Sequence, residues 1–277
     1  MISGKTTLIA HLGYPTHSFK APLIYNPWFE RQGIDAVVVP MGVQAPDYPG
    51  FLRHLFRLTN IRGALVTMPH KVTTIDLVDE LTPTAEVAGA TNAVLLRDDG
   101  TLLGDQFDGA GFVRGIQRKG LELSGASALV VGSGGVGSAI AASLAGAGVA
   151  TLGLFDPDTA AADALAGRLT HHYPKIEVDT GTNDPAGYHL VVNATPLGMN
   201  PGDPLPTDVD RIAPDTFVGE VVMAQEITPF LRAAQDRGCR IQVGKDMLYE
   251  QIPAYLEFFG FGTATPDELR AVSQVRD

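Results

Sequence analysis

Between residues 124 and 155 the chain carries no charged side chain. A stretch of that length is buried either in lipid or in protein. It holds eight glycines, four of them in "GSGGVG" at 132–137. It also divides into an apolar strand, a glycine turn, an alanine-rich helix and a second apolar strand. A parallel strand covered on both faces reads as a continuous hydrophobic run. A buried βαβ unit therefore accounts for the missing charge better than a membrane helix does.

The rest of the chain extends the same alternation. Upstream, strands are expected at 6–13, 35–43 and 61–68, and helices at 21–34 and 48–60. One or two further helices are expected at 71–90. Residues 91–108 read as a hairpin turning at "DDG". Downstream of 109, helix and strand alternate up to "RIQVG", followed by a helical tail. The fold class expected is α/β: an N-terminal α/β substrate domain and a Rossmann-type, doubly wound nucleotide domain. The expected boundaries are residues 1–108 for the first domain, with 245–277 returning to it, and 109–244 for the second. With 277 residues, 45% of them hydrophobic, the chain is long enough for both.

The formal net charge of −11 argues against nucleic acid and anionic membranes as partners. A single cysteine, Cys239, leaves no intramolecular disulfide. With no signal-like apolar core at the N-terminus, a cytoplasmic location is expected. Monomer and homodimer both stay open. The seven histidines lack zinc-ligand spacing, so no metal site is expected. His171–His172 read as solvated, and His70 as a surface loop residue beside Lys71.

Gly132, Gly134 and Gly137 form a GxGxxG turn between strand and helix, the context in which that motif binds a dinucleotide. The first glycine permits the turn, the second lets backbone approach a pyrophosphate, and the third permits close helix–strand packing. Ser133, Gly135 and Val136 complete the loop, whose N–H groups and helix dipole suit phosphate. Asp156 ends the next strand, where a carboxylate accepts ribose hydroxyls and repels a 2′-phosphate. Asp158 either shares that role or starts the following helix. No arginine occurs in "FDPDTAAAD". NAD is therefore expected as cofactor, in preference to NADP.

A nicotinamide site needs a group that moves a proton at the reacting oxygen. Lys71, in "VTMPHK" where an apolar strand stops, is a candidate. Asp108 and Asp105 lie in "GDQFDGAGF", in the loop expected where the two domains meet. Asp105 reads as loop-ordering.

Lys71 in "VTMPHK", Asn92 in "GATNAV", Asp108 in "GDQFDG", the glycine turn, "NATPLGM" and "VGKDMLYEQ" occur in one order. That order resembles shikimate dehydrogenases along essentially the whole chain. The resemblance implies a Lys71–Asp108 pair flanking the oxidised hydroxyl. It implies that Thr67, Asn92 and Gln251 contact substrate, and that Thr195, Pro196, Leu197, Gly244 and Met247 line the nicotinamide pocket. The substrate implied is a cyclic polyol or hydroxy acid of the shikimate or quinate kind.

Three departures stand out. The family's Ser-x-Ser carboxylate grip aligns without gaps onto Phe19 and Ala21, although a gapped register places Ser18 in the first position. Lys20 and His17 share that loop. A tyrosine that helps hold the carboxylate becomes Met223, and a threonine before the aspartate becomes Phe107. An altered substrate pocket is therefore expected. The alternatives are a genuine NAD-dependent quinate/shikimate dehydrogenase and a catalytically decayed NAD-binding sensor or scaffold.

Overall fold

The structure, a computed structural model, describes residues 2–275, with the side chain of Ser18 outside that description. The chain divides into two compact units, residues 1–107 with 252–277, and residues 108–251.

The first unit begins with β1 (Thr7–Gly13), α1 (Pro22–Gln32), β2 (Ala36–Gly42), α2 (Tyr48–Leu55) and β3 (Ile61–Val66). Pro22 opens α1, where its missing N–H costs nothing. Gly33 closes it at φ 68°, a left-handed position that glycine adopts freely. After β3 the chain forms a 3₁₀ turn (Thr73–Leu77), β4 (Glu80–Leu81) and α3 (Pro83–Ala88). The helices expected across 71–90 thus reduce to one short helix, and two causes are visible. Val72, Thr73, Thr74 and Ile75 are β-branched, which disfavours helix. Thr82 then restarts the chain as an N-cap, its side chain accepting from Ala85 N–H. The expected hairpin forms as β5 (Ala93–Leu96) and β6 (Leu102–Asp105). The sheet runs β2-β1-β3-β5-β6-β4, with β1 central to a parallel trio and β5 antiparallel to both neighbours. Ala10, Leu12, Leu52, Ala64 and Val66 build the core on one face.

The second unit comprises α4 (Asp108–Arg118), β7 (Ser127–Val131), α5 (Gly135–Gly146), β8 (Thr151–Phe155), α6 (Thr159–His172), β9 (Glu177–Thr180), β10 (Leu190–Asn193), β11 (Phe217–Glu220), α7 (Pro229–Asp236) and β12 (Arg240–Gln242). Its sheet is parallel throughout, in the order β12-β11-β10-β7-β8-β9. That order reverses between β7 and β10, the switch point at which open α/β sheets bind ligands. Of these strands, β9 was not expected. Its Glu177, Asp179 and Thr180 are exposed, so the apolar alternation that marks a strand is missing.

The charge-free stretch spans β7, α5 and β8, with Leu129, Val130, Ile140, Leu144 and Leu152 wholly buried. Among the described residues no helix is long and apolar enough to cross a membrane. The chain closes with α8 (Gly244–Phe259) and α9 (Pro266–Val272). The division between units falls inside α8, after Gln251. In the second unit, Gly111 lets α8 approach α4: a Cβ at Gly111 would lie 2.6 Å from Gln251 Cβ and 2.7 Å from Met247 O. In the first unit, Gln274 N–H donates to Leu23 O, tying the chain's end to α1.

Candidate active site

In the first unit the relevant residues gather at the carboxyl ends of β1 and β3. Thr67 N–H donates to Leu12 O, and His70 N–H to Thr67 O, so the β3 exit is stitched to β1. Gly13 has no room for a side chain: a Cβ there would meet Thr67 Cγ2 at 2.5 Å and Phe19 Cζ and Met68 O at 2.9 Å. Phe19 and Thr67 are thereby placed side by side.

Lys71 follows, half-buried, its carbonyl accepting Thr91 N–H at 2.9 Å. The same turn is fixed by His70. That residue is 1% exposed rather than on a surface loop. Its ring stacks on Tyr48 with centroids 3.9 Å apart, and its Nε2 lies 2.9 Å from Val43 O. Burial pushes its pKa down. The partners come from α2 and the segment after β2, far away in sequence, so neither was visible from the local pattern.

Asn92 is 1% exposed. Its Oδ1 accepts Phe107 N–H at 2.9 Å, and its backbone pairs with Val66 N–H and Asp105 O. Its Nδ2 is buried without a hydrogen-bond partner. A buried amide donor left unmade costs about 1–3 kcal/mol, so this donor is poised for a ligand acceptor. Asp105 orders the neighbouring turn by accepting Thr82 Oγ1 at 2.5 Å and Gln106 N–H at 2.7 Å. Phe107 packs edge-on against Tyr255 and Phe258, centroids 4.8 and 5.2 Å away, and is a core residue of this unit.

The loop before α1 differs in character. Phe19 is half-buried, Lys20 is exposed, and Ala21 is the N-cap of α1 without a side-chain hydrogen bond. His17 is exposed. The substitute contact expected of Ser18 lies outside the described residues. Phe19 stacks on His11, with centroids 4.0 Å apart and planes 26° from parallel. His11 is 8% exposed, and its Nδ1 is buried with no partner. Burial, and then the charge of Lys71, lower its pKa to about 4. Sequence reasoning did not single out His11. Its one local signal is a polar side chain inside the apolar run "TLIAHLG".

In the second unit two of the three motif glycines sit where a side chain would clash. Gly132 turns at φ 106°, and a Cβ there would lie 2.9 Å from Ala194 C and O. A Cβ on Gly137 would overlap Gly132 O, at 1.9 Å. Gly134 and Gly135 face open space, Gly134 being the N-cap of α5. The loop therefore leaves backbone N–H groups accessible at a helix N-terminus, which fits a pyrophosphate. Ser133 is buried with its Oγ unpartnered, and Val136 is half-buried.

Asp156, beyond β8, accepts Ser133 N–H at 2.7 Å and Asp158 N–H at 2.9 Å. It thus braces the loop while holding a negative charge beside it. Asp158 caps α6, accepting from Ala160 and Ala161 N–H.

Beyond β10, Asn193 Oδ1 accepts Thr195 Oγ1 at 2.6 Å and Thr195 N–H at 3.1 Å. Its Nδ2 donates to Leu197 O at 2.9 Å, which shapes the Thr195-Pro196-Leu197 turn. Beneath this turn Glu220 is wholly buried, accepting Thr228 Oγ1 at 2.9 Å. Desolvation raises its pKa to about 7. Gly244 admits no side chain, because a Cβ would sit 2.1 Å from Val222 O. Met247 is buried, Gln251 Oε1 is buried without a partner, and Met223 is 43% exposed. Asp108 is 6% exposed and occupies the first turn of α4. Among the described residues no cluster of His, Cys, Asp or Glu could hold a metal ion.

Residues 12–94 match a family described as "Shikimate dehydrogenase substrate binding domain", and residues 112–182 match the ThiF family. A protein of Rubrobacter xylanophilus named shikimate dehydrogenase (NADP(+)) is 35% identical over 277 residues, 98% of this chain and 97% of that one. The solved shikimate 5-dehydrogenase of Listeria monocytogenes, in complex with shikimate and NAD, superposes with a TM-score of 0.91. It is 27% identical, and the match covers 98% of this chain and 97% of that one. Quinate dehydrogenase of Corynebacterium glutamicum, in complex with NAD, gives a TM-score of 0.85. It is 28% identical, over 96% of this chain and 98% of that one.

Proposed function

The chain belongs to the shikimate dehydrogenase family of oxidoreductases, and from that premise we propose that it interconverts a secondary alcohol and a ketone on a cyclic, hydroxylated substrate. The nicotinamide cofactor supplies the hydride acceptor or donor. The chain's own residues supply binding and the proton. Lys71 holds or gives the proton at the reacting oxygen, and Asp108 sets the charge balance of that amine. Thr67 and the Asn92 Nδ2 donor bind ring hydroxyls, and Gln251 Oε1 accepts from the substrate. The observation that carries this reading is the buried, unpartnered Asn92 amide beside the Thr67–Lys71 turn.

The nucleotide half favours NAD over NADP. Asp156 holds its charge next to the glycine loop, and the β8 exit offers no arginine for a 2′-phosphate. The Rubrobacter relative is named for NADP(+), so comparing kcat/KM for the two cofactors is the direct test. A preference for NADP+ overturns this part.

The substrate half favours altered specificity over shikimate itself. Phe19 and Ala21 stand where the family resemblance asks for two serine hydroxyls, and charge-assisted bonds are each worth roughly 1.5–3 kcal/mol. Shikimate and quinate oxidation, followed by NADH absorbance, tests it: turnover of shikimate at ordinary micromolar KM returns the chain to a true shikimate or quinate dehydrogenase. Absence of any NAD(P)-linked turnover across cyclic polyols and hydroxy acids favours the sensor reading.

A further inference from the structure

One titratable group at the substrate end has no role in that scheme. His11 sits on β1, the middle strand of the parallel trio in the first unit's sheet, paired in register with Leu65 of β3 and Pro40 of β2. One face of its ring is covered by Phe19. Its Nδ1 is fully buried and makes no hydrogen bond among the described residues. The charge that reaches it is the ammonium of Lys71, the proposed proton carrier. An imidazole nitrogen of this kind is not core filler, because a leucine would fill the volume without the penalty of an unmade bond.

Resting on the family reading above, we propose that His11 is a substrate-binding residue. Its Phe19-clamped ring offers Nδ1 to a hydroxyl on the substrate's far side, and selects an uncharged polyol over a hydroxy acid. The chemistry of the wall supports the choice. His11 is neutral at physiological pH, since burial and Lys71 both disfavour its cation. A hydroxyl both donates and accepts, so it satisfies Nδ1 in either imidazole tautomer. A carboxylate only accepts, and it would have to shed its water against a neutral imidazole and a phenyl ring. Lys71 cannot compensate while it serves the reacting oxygen, and Lys20 is exposed.

The test uses a matched pair: shikimate, and its analogue with hydroxymethyl in place of the carboxylate. The wild-type protein is expected to oxidise the hydroxymethyl compound with kcat/KM about tenfold or more above that for shikimate. His11→Leu is expected to lower the neutral compound's kcat/KM by about 10–100-fold, mainly through KM, with NAD+ binding unchanged. His11→Asn, whose amide reaches where Nδ1 lies, restores most of it. A tenfold preference for shikimate, or a His11→Leu enzyme with an unaltered ratio, overturns the proposal. A direct readout needs no variant: the imidazole ¹⁵N resonances of labelled wild-type protein shift when the hydroxymethyl compound is added with NADH. If neither compound is turned over, the panel of cyclic polyols and hydroxy acids decides the activity separately, and silent ¹⁵N resonances then overturn the His11 proposal.

Discussion

The two sheets bury their polar groups differently. In the second unit, Asn193 and one carboxylate oxygen of Glu220, at the last positions of β10 and β11, are bonded within the unit, on Thr195, Leu197 and Thr228, while Glu220 Oε1, Gln242 Oε1, Gln251 Oε1 and Ser133 Oγ are buried without a partner. In the first unit, Asn92 Nδ2, Thr91 Oγ1 and His11 Nδ1 are buried and unpartnered. The nucleotide unit shapes a turn and presents backbone to its ligand. The substrate unit leaves nitrogen donors such as Asn92 Nδ2 and Trp28 Nε1 waiting, whereas among the described residues the unpartnered atoms of the second unit are all oxygens. On the proposed reading, the cofactor is met chiefly by backbone of the glycine loop and the substrate chiefly by side chains such as Asn92.

The sharpest way to break that contrast is Lys71→Ala. General acid–base groups contribute roughly 10²–10⁴-fold. Steady-state turnover on a confirmed substrate should fall by that order, while NAD+ affinity, measured by fluorescence quenching, stays within about twofold. Equal losses in both would mean that the two functions are not divided between side chain and backbone.

Next come the glycines. Gly137→Ala drives a methyl into Gly132 O and should lower the thermal midpoint by several degrees as well as weaken NAD+ binding. Gly134→Ala meets nothing within 4 Å, so it should leave the midpoint unchanged and weaken only the nucleotide. A smaller effect is expected of Asp156→Ser. It removes the charge and the brace on Ser133 N–H, and should move the NAD+/NADP+ ratio of kcat/KM about 10–100-fold toward NADP+.

Last is pH. His11 titrates near 4 in the fold against an ordinary 6.5, so between those values the unfolded chain holds more protons. Stability therefore climbs with pH across that window and is lost as pH falls. Glu220 titrates near 7 against 4.5, so the fold holds the extra proton and stability declines as pH rises through that window. Each displacement is worth about 3 kcal/mol, and the two slopes oppose each other between roughly pH 4.5 and 6.5. Glu220→Gln should therefore steepen the gain in urea midpoint from pH 5 to 6.5. An unchanged slope removes Glu220 from this balance.

Much of this architecture was legible because its physics is local. β7, α5 and β8 announce themselves by missing charge and by glycines whose roles follow from close approach. The hairpin of β5 and β6 follows from "DDG". What escaped depends on partners distant in sequence. His70 is buried because Tyr48 stacks on it, and His11 acquires significance only when Phe19 folds over it. The edge strand β9 was invisible because one covered side leaves too little apolar pattern. Phe107 could be assigned to the core only after Tyr255 and Phe258 returned on α8.

The Phe19–His11 stack also constrains the order in which such a protein could change its diet. Phe19→Ser alone would uncover the face of the His11 ring that Phe19 covers and let water reach the imidazole beside Lys71. On the proposed reading, a change from an uncharged substrate to an acid therefore involves position 11 together with position 19. The two positions thus form one unit of specificity rather than two independent ones.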